Sequence, residues 1–165
     1  MKKIVFLTLS LLAANCMFAQ QFSLPIWPEK VWPSEYANYN NDIINCCNYI
    51  MGTSPEFNLP KHAECNNFLL RWLEGTPKVA VVTDAKLTEP NDANLRMIYN
   101  AGWTKFAIEN DSDSKFLCCK AAVEATIKSY KKFHGAFKKS SVIENLIKLQ
   151  EKEELDSLIR ERMAE

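Results

Sequence analysis

The chemistry available to this chain rests on few side chains. It holds six cysteines and two histidines. Four of the cysteines come as adjacent pairs, Cys46-Cys47 in "NDIINCCNYIMG" and Cys118-Cys119 in "FLCCK". His62 and Cys65, in "HAEC", stand one helical turn apart. With Cys46 or Cys47 from the preceding helix they offer the thiolate and imidazole donors that zinc prefers, making His62, Cys65, Cys46 and Cys47 the candidate metal set. No C-x-x-C knuckle or C-x-x-C-H haem attachment accompanies them. A Cys118/His134 nucleophile pair would need the fold to bring the two together. Glu109, Asp111 and Asp113 in "ENDSDS" present alternate carboxylates, without the glycine and terminal glutamate of an EF-hand loop.

The commoner catalytic signatures are missing. There is no H-E-x-x-H, no G-x-S-x-G, and no phosphate-cradling loop among four scattered glycines. We therefore expect no catalytic residue, no enzyme activity and no cofactor. The segment "KSYKKFHGAFKK" interleaves five lysines with aromatic residues. Basic residues near a helix C-terminus also offset its dipole, so we read this as a solvated face and expect no nucleic-acid partner.

The elements that must position these groups read as helices. Lys2 and Lys3, an apolar run from Ile4 to Ala14 and a small residue at Ala19 form a signal peptide over residues 1–19, cleaved after Ala19. Lipidation at Cys16 is the alternative. The apolar run is shorter than the roughly 20 residues a membrane span needs, so no transmembrane segment is expected. Loss of Lys2 and Lys3 leaves 18 basic against 20 acidic side chains, a net charge of −2. Such a balance recruits neither nucleic acid nor an anionic membrane.

Residues 20–33, "QQFSLPIWPEKVWP", form an extended arm. Its prolines forbid a helix, and Ile26, Trp27, Val31 and Trp32 are apolar enough to pack on a body. Residues 34–165 form one helical domain. A first helix runs from a Ser34 cap to Gly52, and a second starts at Pro60 with the stripe Cys65, Phe68, Leu69 and Trp72. "KVAVVTDAKLTEP" is a short extended segment. Asn91 caps a third helix, in which Gly102 suggests a close helix approach. Phe116, Cys119, Val123, Ile127 and Tyr130 carry a fourth. Ser141 with Glu144 forms a capping box that starts a fifth helix running to the end. The fold class expected is all-α, a single domain of about five helices.

The fifth helix bears two stripes. At about 100° per residue, Val142, Ile143, Leu146, Ile147 and Leu149 centre on one direction, while Leu155, Leu158 and Ile159 centre roughly 150° away. The second stripe either touches another side of the body, across a kink, or faces a partner. Leu155, Leu158 and Ile159 are therefore the candidate partner-binding residues. By the same angles Cys46, Cys47, Cys65 and Cys119 fall within apolar faces, whereas Cys118 points away. In an oxidising compartment some of these thiols could pair, and spacing leaves the connectivity open.

The runs "TSPEFN", "ECNNFLLRWLEGTPKVAVV" and "ANLRMIYNAGWTKFAIEN" resemble a group of small exported all-helical proteins of Gram-negative bacteria. The likeness covers roughly residues 45–130 and rests on Phe68, Leu69, Trp72, Thr76-Pro77, Tyr99, Lys105 and Glu109-Asn110. It implies export and an all-α fold, and it brings no activity and no site residue. The expected function is a periplasmic or secreted, non-catalytic helical module that binds an unidentified envelope protein. The alternative is a small-molecule or metal carrier. A third version is an immunity-type inhibitor of a toxin or enzyme.

Overall fold

The computed structural model describes residues 22–163. The expected signal peptide and Cys16 lie outside them. Among the described residues the fold is all-helical, with six α-helices in one compact unit: α1 (Asn40–Gly52), α2 (Leu59–Gly75), α3 (Ala93–Asn110), α4 (Lys115–Lys132), α5 (Ser141–Glu151) and α6 (Leu155–Arg162). Two 3-10 turns, Pro33–Tyr39 and His134–Ala136, complete it. None of these helices is long and apolar enough to cross a membrane.

Sequence chemistry explains the boundaries. Asn58 takes the left-handed conformation, φ 48°, and its side chain accepts from the Lys61 N–H, while Pro60 occupies the first turn of α2 without losing a bond. Asp92, one residue after the expected Asn91, accepts from the amides of Asn94 and Leu95. Ser114 caps α4 through Leu117 N–H. The first expected helix is shorter than its stripe. Pro33 opens a 3-10 turn in which Glu35 accepts from Trp32 N–H at 2.8 Å, and α1 starts only at Asn40. Segment 78–92 contains no strand; Leu87 anchors it, fully buried, and Tyr99 donates to its Val82 carbonyl.

The core is built around α3 and α4, which pack along their length, with α1 between α3 and α2. Gly102 of α3 lies against the backbone of Ala122 of α4. The expected fifth helix is two. The chain turns at Glu153, φ 62°, and the break re-aims the second stripe, so that Leu155, Ile159 and Met163 are buried with α6 against α4. Burial of both stripes on one body drives this bend, because a straight helix would leave one of them in water.

Candidate functional site

The candidate metal set does not assemble. Cys46, Cys47 and Cys65 are fully buried, Cys46 beside Cys65 of α2 and Cys47 against the Lys105 backbone of α3. The Cys46 thiol is held protonated by the neighbouring Cys65 sulfur and by burial. Burial pushes the Cys47 thiol up as well. His62, on the first turn of α2, faces the other way. Its Nε2 stands 2.8 Å from Thr53 Oγ, its ring packs on Tyr49 at 5.0 Å, and the Ser54 backbone is a further polar neighbour. Burial lowers its pKa and keeps it neutral. Among the described residues no three His, Cys, Asp or Glu side chains are close enough to hold a metal ion. One turn of helical spacing put His62 and Cys65 on one side in principle, but the α1–α2 loop captures the imidazole first.

The remaining candidates are also repositioned. Cys118 is buried, against expectation, because it shares a buried face of α4 with Ala122, the residue packed on Gly102 of α3, and the Ser112 carbonyl lies 3.7 Å from its sulfur. Cys119 lies 3.3 Å from the Tyr99 hydroxyl. His134 follows the far end of α4, more than about 20 Å from Cys118 at 1.5 Å rise per residue, so no Cys/His pair forms. Leu155 and Ile159 are buried and Leu158 is half-buried, which removes this stripe as a free partner surface. In the acidic loop, Asp111 ends α3 in the left-handed conformation and pairs with Lys78 at 3.1 Å, and Glu109 pairs with Lys105 at 3.6 Å. In the lysine-rich run, Lys132 donates to the Gly52 carbonyl and lies over Phe133.

Two features escaped the sequence reading. The first is the surface of the arm. Phe22 and Trp27 are its anchors: Phe22 packs edge-on against Tyr49 and under Lys61, and Trp27 packs against Tyr36, Tyr39 and Phe68. Lys61 also donates to the Phe22 carbonyl at 2.7 Å. Between and beyond these anchors, Ile26 is 95% exposed and Trp32 58% exposed. The apolar character of Ile26, Trp27, Val31 and Trp32 predicts all four on the body; Trp27 does pack there, but the arm turns Ile26 and Trp32 outward.

The second is a cleft of about 430 Å³ between the Pro33–Tyr39 turn and the C-terminal ends of α2 and α3. Tyr36 is fixed as one wall by two contacts. Its backbone carbonyl accepts from the Trp72 indole N–H at 3.0 Å, and its ring lies where a β-carbon on Gly75 would be. Trp72, Val79, Ala107 and Ile108 form the apolar floor, with Asp111 and Asp113 at the rim. A volume of a few hundred Å³ with an apolar floor and few polar groups suits a small molecule. The cleft is assembled by residues some 80 positions apart, and no local spacing announces it. No protein-family model matches the chain, and comparison with curated proteins and with solved structures finds no match.

Proposed function

We propose that this is an exported, non-catalytic binding protein of the periplasm or extracellular space, engaging another envelope protein through the arm. The observation that carries this reading is the exposure of Ile26 and Trp32 on a segment whose neighbours Phe22 and Trp27 are clamped to the body. Anchoring removes most of the freedom the arm would otherwise lose on binding, and preorganisation of this kind favours affinity. Tryptophan is also over-represented among residues that dominate protein interfaces. Lys61 ties the arm to the first turn of α2, and Leu59 at the start of that helix and Phe57 just before it are exposed too. The signal-like residues 1–19 and the resemblance to small exported helical proteins support the location. An immunity-type inhibitor is one concrete form of this activity.

The test is a photo-crosslinking residue at position 26 or 32, with position 152 on the exposed α5–α6 turn as control, in cells that make the protein. A discrete protein adduct specific to 26 and 32 is expected. No adduct, or the same adducts from 152, sinks the reading.

A second reading, a small-molecule carrier, is favoured by the cleft at Tyr36, whose volume and apolar floor fit a small ligand. Its metal form has no support, since no three His, Cys, Asp or Glu side chains among the described residues are placed to hold a metal ion.

A further inference from the structure

The cleft at Tyr36 has a sign of charge. Two helices, α2 and α3, end at it, and a helix C-terminus carries a partial negative charge from its unpaired carbonyls. Neither has a basic residue in its last turn to offset that charge. Asp111 and Asp113 add two carboxylates at the rim. Against them stands a single ammonium among the lining residues, Lys78, 70% exposed and already paired with Asp111. The N-terminal amides of α4, the next partial positive charge along the chain, are capped by Ser114 and do not line the cleft.

These charges repel an anionic ligand and leave the Asp113 carboxylate with no cation opposite it among the lining residues. A bare metal cation is poorly served, because no group of three ligating side chains is present among the described residues. It would also leave the floor of Trp72, Val79, Ala107 and Ile108 uncovered. A ligand with an apolar body and a cationic head satisfies both halves of the cleft, with its body on that floor and its head toward Asp113. We propose that the cleft binds an organic ammonium ion, a primary or quaternary amine carried on a small apolar group. This rests on the carrier reading and narrows it to one class of ligand.

The experiment is calorimetric titration of the full mature chain with three probes of one shape: benzyltrimethylammonium, benzyl alcohol and benzoate. The ammonium is expected to bind at least about tenfold more tightly than the other two at about 0.02 M salt, and to weaken at about 0.5 M as the carboxylates are screened. Asp113→Asn and the double variant D111N/D113N should weaken it by about fivefold or more. Both should fold, because asparagine tolerates the left-handed conformation that Asp111 adopts and Asp113 is exposed. Equal binding of benzyl alcohol, or unchanged affinity in the variants, overturns the ammonium assignment and leaves the carrier reading standing. If none of the three probes binds, both fail.

Discussion

A β-carbon on Gly102 would lie 2.9 Å from the Cα of Ala122 and 2.9 Å from the Cβ of Ala125. The two longest helices of the core thus meet backbone to backbone, and no flexible side chain is available to give way. Ordinarily Gly→Ala within a helix gains up to about 1 kcal/mol. Here overpacking reverses the sign, and G102A is expected to lose about 1–3 kcal/mol, read as a lower urea midpoint with unchanged slope.

Ser140 joins three parts of the molecule. Its hydroxyl accepts from Ile143 N–H to cap α5 and donates to Glu89 at 2.6 Å, while its own N–H donates to the Tyr130 hydroxyl. Ser140→Ala should cost about 1–2 kcal/mol, the range of a lost cap. Ser141→Ala, at the position where the sequence places the cap, should cost little by comparison, and thermal melts of the two variants separate these assignments.

The helices were legible where one pattern dominated. The stripes of α2 and α4 and the tolerance of Pro60 follow from 3.6-residue periodicity and local caps. Legibility failed where tertiary packing decided between local options. Ser140 and Ser141 are equivalent as caps until Glu89 arrives from 51 residues away. Cys118 sits apart from the Phe116, Val123 and Ile127 stripe, and only the close approach of α3 at Gly102 makes its face of α4, shared with Ala122, a second buried one. The cleft needs Tyr36, Trp72, Ile108 and Asp113 together, a grouping that no local window of the sequence contains.

Acid should weaken the fold in two steps. Burial lowers the pKa of His62, so the unfolded chain takes up that proton more readily. Its contribution is complete above the ordinary histidine value of about 6.5 and shrinks as pH falls from there to the lower folded value, then levels off. His62→Gln should erase this shoulder. Asp84 is held low chiefly by the Arg162 guanidinium, and Glu89 chiefly by the Ser140 hydroxyl. Their contribution is present above the ordinary carboxylate range, about 4, and is lost as pH drops through their lower folded values. D84N should be less stable than the parent at pH 7 and converge with it in strong acid.

The core thiols should be inert while the protein is folded. Cys46, Cys47, Cys65, Cys118 and Cys119 are each 1% exposed or less, and burial raises four of them. In a chain beginning at Gln20, a thiol-disulfide reagent is expected to find no fast-reacting group before denaturation and all five of these afterwards. Prolonged exposure to oxidised glutathione should join Cys46 to Cys65 before any other pair, since these two buried thiols are neighbours across α1 and α2. Peptide mapping that finds a different first pair would contradict their placement.

Ile159 tests whether α6 belongs to the body. It is fully buried, and I159A should cost about 2–5 kcal/mol, as large-to-small core changes do. A variant as stable as the parent would return this stripe to the surface.

The reversal at Glu153 also sets an order of events. Leu155, Ile159 and Met163 occupy core positions against helices made much earlier in the chain, and Arg162 closes on Asp84, 78 residues upstream. A polypeptide synthesised or delivered N-terminus first cannot complete this core until residues 155–163 are free. Until then the seat of α6 on α4 stays open and apolar, so a nascent chain lacking α6 is held short of its native state.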